Sequence, residues 1–142
     1  MGLIPKFVKT EIVTKWVGES LYLMLLKNTH VPNAGTQQYV SQVSSNEITD
    51  TGGIYPAGGV AITSRSWGTD PLLPNNSFLD SLVDISIGPG ASLNYRYGIV
   101  YANTGNPATS LIRAHVDFLS DQIVTNGTSV IQWNALGIIY VK

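Results

Sequence analysis

The stretch SLIRAHVDFL, residues 110–119, decides the fold class. Its apolar and polar side chains alternate, with Ile112, Ala114, Val116 and Phe118 set against Arg113, His115 and Asp117. Because successive side chains of a strand point to opposite faces, this alternation predicts a β-strand with one buried face and one polar face. We therefore expect the segment to lie in a sheet that covers a core.

Further strand signals lie on both sides of this stretch. Leu82–Ile87 alternates in the same way, Asn94–Ala102 is rich in Tyr, Ile and Val, and Leu21–Leu26 is typical of a strand buried on both faces. Asn126-Gly127 is the strongest turn signal and predicts a β-hairpin. Roughly six to eight strands with turns about every eight to twelve residues predict a mainly β fold, either an antiparallel β-sandwich or a small barrel.

Three other segments are expected to interrupt the strands. Gly88-Pro89-Gly90 is predicted to end the strand that begins at Leu82. Asn103–Pro107 is predicted to be a turn, and Trp67–Asn76 to be a loop.

One helix is expected, near the N-terminus. In Lys6–Val17 apolar residues recur at spacings of three and four, Pro5 suits a first helical turn, and Gly18 is a stop signal. The predicted apolar face consists of Ile4, Phe7, Val8, Ile12 and Trp16. We expect residues 1–18 to form a helical segment or arm of one β-rich domain that spans residues 1–142.

Composition disfavours several classes of protein. Charged residues make up 12% of the chain and apolar residues 44%. The charged share is about half of that usual in soluble proteins. A disordered chain would have less apolar content and more charge, and a solvated helical bundle would need more charged residues for its outer faces. The neutral composition suggests that neighbouring subunits cover much of the surface.

Charge and cysteine content narrow the partners further. Eight basic and nine acidic residues leave a net charge of −1, so no basic field is present and no nucleic-acid partner is expected. The absence of cysteine excludes disulfides, zinc–thiolate sites and thiol nucleophiles. The longest apolar run, Leu21–Leu26, is too short to cross a membrane, and we expect neither membrane association nor a secretory signal.

The sequence shows no catalytic set. His30 in a loop and His115 on a strand are interpreted as outward-facing polar residues, and a metal site that uses His115 with Asp117 is the alternative. Asp80 and Asp84 would suit a glycosidase, but no sugar platform is adjacent in the sequence. We therefore predict no catalytic, cofactor-binding or metal-binding residues, no cofactor, and no enzyme activity.

Large aromatic side chains are the candidates for contact with a partner. Tyr55 and Trp67 lie in predicted loops, where large rings need a specific reason. Phe7 and Trp16 lie on the predicted helix, where they suit either the core or a contact. We predict an interface that uses Phe7, Trp16, Tyr55 and Trp67, since Tyr and Trp often anchor subunit interfaces.

An ordered set of segments carries a family resemblance. Three of them follow one another closely, Asn46–Ile48, Thr51–Tyr55 and Ala57–Ser64. The others keep the same order along the chain: Leu21–Lys27, Arg96–Gly105, Leu111–Phe118 and Val130–Ile138. Together they resemble small structural proteins of tailed bacteriophages, in which an Asn-Glu pair is followed by a Gly-Tyr step and a Gly-Gly-Val strand. The chain departs from that family in having only Glu19 as an acidic residue between helix and first strand, and in the spacing around residues 67–76.

The resemblance implies a non-enzymatic virion structural protein. The favoured role is that of a capsid decoration, or cement, protein that binds the major capsid protein and stabilises the head. A tail, neck or fibre-base component is the alternative, and a carbohydrate-binding β-sandwich ranks below both. The expected partners are the major capsid protein or other virion proteins and further copies of this chain, with a trimer favoured. The expected location is the capsid surface of the virion, after synthesis in the host cytoplasm.

Overall fold

The computed structural model describes residues 6–73, 76–134 and 138–141. The fold is mainly β with one N-terminal helix, and all strand pairs are antiparallel, which confirms the predicted class. The elements are α1 (Lys6–Val17), β1 (Leu21–Leu26), β2 (Val60–Ala61), β3 (Arg65–Thr69), β4 (Ser77–Ser81), β5 (Ile85–Ala102), β6 (Ile112–Ile131) and β7 (Ile139–Val141). Two 3₁₀ turns, Val40–Gln42 and Ser44–Asn46, lie between β1 and β2.

The strands form two sheets that share a core. One sheet has four strands in the order β2-β1-β5-β6, and the other has three in the order β3-β4-β7. Leu79 of β4 and Ile139 of β7 join Leu21, Leu23 and Leu25 of β1 in one buried cluster. Side chains of both sheets thus meet in a common core, as in a β-sandwich.

Strand β1 is buried on both faces, as its unbroken apolar run predicts. Leu23 and Leu25 point into the core shared by the two sheets, whereas Met24 and Leu26 belong to a second buried cluster with Val40. The 3₁₀ turns between β1 and β2 supply the cover for this second face. A strand with two covered faces reads as continuous rather than alternating hydrophobicity.

Strands β5 and β6 correct two of the predicted breaks. The segment Gly88-Pro89-Gly90 lies within β5, and Asn126-Gly127 lies within β6 and forms no hairpin. The pairing of the two strands shifts register at these points, and Asn126 has a φ of 47°. A bulge and a hairpin turn both use left-handed backbone, so the same residue types serve either one. The chain instead reverses at Asn103–Pro107, where the sequence predicts a turn.

The buried face of α1 is rotated from the predicted one. The helix has the predicted bounds, but within residues 8–17 the buried residues are Lys9 and Val13, while Ile12 and Trp16 are half-buried. The helix packs against β3 and β4, and the Lys9 Nζ donates to the Oδ1 of Asn76 at 3.4 Å. A lysine can bury its apolar stem when its amine reaches a polar partner, so polarity alone does not predict the facing side.

Candidate interaction surface

Strand β6 leaves a long sheet edge open. It is one of the two edge strands of the four-stranded sheet and pairs with β5 alone among the named strands of the described chain. At its start Ile112 N donates to Gln38 O, so the 37–39 loop covers the edge there. The strand is 20 residues long, and most of its outer N–H and C=O groups face away from any strand. Such an edge can pair with an extended segment of another chain.

Exposed apolar side chains accompany this edge. Leu119 is 83% exposed, Ile123 68% and Val130 55%. Natural edge strands are commonly protected by charged side chains, proline or bulges. Residues 112–131 contain no lysine or proline, but they include Arg113, Asp117 and Asp121, and their pairing with β5 shifts register. Single exposed apolar residues are ordinary on a protein surface, but three on one edge strand favour a contact surface. We call Leu119, Ile123 and Val130 with the open backbone of β6 the β6 edge. The sequence does not predict it, because the strand reads as two strands joined by a turn.

Trp67 is the most accessible of the three predicted interface residues whose side chains the structure describes. It lies on β3 opposite Leu79, and not in a loop, and its side chain is exposed at 45%. Strand β3 is one of the two edge strands of its sheet. Leu72 and Leu73, in the segment that follows β3, are also exposed. Trp67, Leu72 and Leu73 thus place exposed apolar side chains on and just after β3.

The other predicted interface residues are placed differently. Trp16 is half-buried, and the guanidinium of Arg113 lies over its ring at 5.5 Å. Arg113 also forms an ion pair with Glu19 at 2.6 Å, so Trp16 is held inside the fold by a neighbouring charge pair. Phe7 lies in the first turn of α1, and its side chain is outside the described part of the structure.

Tyr55 corrects the expectation of a contact residue in a loop. Tyr55 is only 5% exposed, and its ring belongs to the core shared by the two sheets. The hydroxyl accepts from Leu25 N at 2.9 Å and donates to the Oε1 of Glu47 at 3.0 Å. Tyr55 therefore needs no partner protein to explain its position, because its role in the monomer is to anchor a loop. Burial holds the pKa of its hydroxyl far above the ordinary value.

Asp50 organises the same loop, residues 46–59. Its carboxylate accepts from Ser92 N at 2.9 Å, Tyr55 N at 3.0 Å, Gly52 N at 2.9 Å and Ile54 N at 2.7 Å. These donors, Ser92 N–H foremost, lower the pKa of Asp50 to about 2. The bond to Ser92 ties the 46–59 loop to β5.

Glu47 is the second carboxylate of the loop. Its Oε1 accepts from Gly58 N at 2.7 Å in addition to the Tyr55 hydroxyl, and the hydroxyl of Tyr101 donates to Gly58 O at 2.5 Å. Burial raises the pKa of Glu47 above its ordinary value, and these two donors offset the effect only in part. Burial and the nearby Glu47 raise the pKa of Tyr101 to about 12.

His30 and His115 form a stacked pair. Their rings are parallel within 3° with centroids 6.4 Å apart, and Tyr97 meets the His30 ring edge-on at 5.9 Å. His30 is 3% exposed, so its interpretation as an outward-facing residue is wrong. The loop after β1 folds back over Tyr97, and this contact buries His30. Strand alternation cannot predict such a contact. Burial, and then the nearby His115, lower the pKa of His30.

The neighbourhood of the histidine pair contains two further charges. Arg96 lies over the Tyr97 ring at 5.3 Å and approaches the Oδ1 of Asp117 at 3.5 Å. None of the four ring nitrogens of His30 and His115 has a hydrogen-bond partner. Within the described ranges no three His, Asp or Glu side chains are placed to hold a metal ion.

No helix in the described ranges could span a membrane. The α1 helix has 12 residues, too few for a membrane span, and the described ranges contain no longer apolar helix.

Comparisons with protein-family models, with curated proteins and with solved structures found no match.

Proposed function

We propose that this protein is a non-enzymatic structural subunit of a tailed-phage virion, acting as a capsid decoration protein. The β6 edge is the observation that carries the assembly role, because an open 20-residue strand with exposed apolar side chains suits pairing with another chain. The placement in a phage head rests on the resemblance of the ordered sequence segments. The partner is the major capsid protein, and the location is the outer face of the capsid.

The mechanism is mechanical. A decoration protein that binds only the mature lattice stabilises that lattice by mass action. A homo-oligomer, with a trimer favoured, would engage several capsid subunits at once, and the linked binding events would raise the avidity. The low charge of the chain is compatible with a subunit covered by neighbours on several sides.

Gradient co-sedimentation with purified capsids tests the proposal. Wild-type protein is expected to migrate with mature capsids and to raise their melting temperature. Ile123→Lys and Val130→Lys place a charge on the β6 edge and are expected to reduce co-sedimentation. Val31→Lys, at a position 76% exposed in the loop after β1, is the matched control and is expected to bind as wild type. Free migration of the wild-type protein would overturn the proposed role.

Copy number separates the head from the tail. Quantitative mass spectrometry of purified particles is expected to find on the order of hundreds of copies if the protein decorates a capsid lattice. A count of about six or twelve would place it instead in a tail, neck or fibre-base ring.

A further inference from the structure

A cleft beside Glu47 is not used by the proposed assembly role. It has a volume of about 360 Å³, and Met24, Val40, Glu47, Tyr101, Asn103 and Ser110 are among its lining residues. Met24, Val40 and Tyr101 belong to the second buried cluster, so one wall is apolar. Glu47 is held at the cleft by the bonds of its Oε1 to Tyr55 and Gly58.

The charge in this cleft is unbalanced. Ion pairs in the described part of the chain join Arg96 with Asp117 and Arg113 with Glu19, and none of them includes Glu47. No lysine, arginine or histidine is among the residues that line the cleft. A partly buried carboxylate without a cation is costly to keep ionised. A cation entering from outside would remove that cost.

We propose that the Glu47 cleft binds a lysine or arginine side chain of a partner protein. Such a side chain has an apolar stem and a charged end. The stem would lie in the cleft, whose lining includes Met24 and Val40, and the charged end would meet the Glu47 carboxylate. A neutral or acidic side chain would leave the carboxylate unpaired, so the cleft selects by charge.

The inference goes beyond the proposed function and can be tested on the isolated protein. The probe is a capped pentapeptide with lysine between two pairs of glycines, added to ¹⁵N-labelled protein and followed by the amide shift of Gly58. The comparison peptide carries norleucine, which keeps the stem and removes the charge. We expect the lysine peptide to bind about tenfold more tightly than the norleucine peptide, since a hydrogen bond to a charged group has that order of effect.

Two variants assign the effect to the carboxylate. Glu47→Gln keeps an oxygen for Tyr55 and Gly58 but removes the charge, and it is expected to weaken binding of the lysine peptide by about tenfold. Asp84→Asn removes an exposed carboxylate outside the cleft and is expected to change nothing. Equal binding of the two peptides, an unchanged affinity in Glu47→Gln, or no shift at Gly58 would overturn the proposal.

A third variant covers the case in which Glu47→Gln does not fold. Ala57 lines the cleft and is exposed, so Ala57→Phe fills the space without removing the carboxylate. This variant is expected to abolish binding of the lysine peptide, and undiminished binding would overturn the proposal. Because the peptide assay uses no capsid, a failure here is distinct from a failure of co-sedimentation.

Discussion

Two polar regions contact β5, and they differ in how their hydrogen-bonding groups are satisfied. In the 46–59 loop the carboxylate of Asp50 accepts four backbone N–H groups, one of them from Ser92 of β5. In the second region, His30 and His115 stack beside Tyr97 of β5, and none of their ring nitrogens has a hydrogen-bond partner. The first region is a scaffold held by its own bonds, whereas the second leaves its buried ring nitrogens without partners.

Removal of the Asp50 carboxylate is expected to have the largest effect on stability. Asp50→Ala leaves the backbone N–H groups of Gly52, Ile54, Tyr55 and Ser92 without their acceptor. The loop then loses both its internal hydrogen bonds to this carboxylate and its bond to β5. Thermal unfolding followed by circular dichroism should show a lower melting temperature than for any other variant described below. Asp50→Asn keeps one acceptor oxygen and should fall between Asp50→Ala and wild type. A melting temperature of Asp50→Ala equal to that of wild type would contradict the scaffold role.

The hydroxyl of Tyr55 is expected to matter next. Tyr55→Phe leaves Leu25 N–H buried without an acceptor and removes one donor from Glu47, at a cost of about 1–3 kcal/mol. Tyr101→Phe is the matched control, because it removes one bond, to Gly58 O, at a cost of about 1 kcal/mol. Urea unfolding measures both free energies. A smaller loss for Tyr55→Phe than for Tyr101→Phe would show that the loop is not anchored through Leu25.

The sequence predicts those parts of the fold that depend on local pattern. The bounds of α1 and β1 follow from periodicity and from an apolar run, and both agree with the structure. Asn126-Gly127 shows where local pattern fails, since left-handed backbone suits a bulge inside β6 as well as a hairpin. The choice between the two is made by the partner strand β5, which continues past that point.

The candidate sites depend more on tertiary contacts and are harder to predict. The bond from Tyr55 to Glu47 joins residues eight positions apart in a loop, and no helical or strand spacing predicts it. His30 is buried because its loop folds onto Tyr97, far along the chain. The β6 edge emerges only from the strand order, which places β6 outermost. The sequence singles out Trp67 because it predicts a large ring in a loop, whereas the residue is exposed on strand β3.

Acid should separate the two regions by pH. Because the folded state lowers the pKa of His30, the unfolded state binds more protons below pH 6.5, and stability falls as the pH drops through this range. The pKa of Asp50 is also lowered, to about 2, so its contribution is lost only as the pH falls from 3.8 toward that value. Urea midpoints at intervals between pH 8 and pH 2 measure both losses.

The variant His30→Leu assigns the upper window. It is expected to flatten the stability profile between about pH 7 and pH 5 and to leave the lower window unchanged. The other charged or titratable groups near His30 are His115, Tyr97, Arg96 and Asp117, and all of them remain in the variant. An equal loss in His30→Leu and wild type above pH 5 would assign the titration to another group.

The smallest expected effect concerns backbone strain at Leu119 of β6. Leu119 has a φ of 68°, a left-handed backbone that disfavours leucine, and Asp117 Oδ1 holds it there by accepting from Leu119 N at 2.8 Å. Leu119→Gly removes the strain but gives the unfolded chain more freedom, so the net gain should be about 0.5 kcal/mol. Ile123→Gly, an exposed position on the same strand without positive φ, should instead lose about 1 kcal/mol. The opposite signs, measured by urea unfolding, would locate the strain at Leu119, whereas equal losses would show that the backbone at Leu119 is not strained.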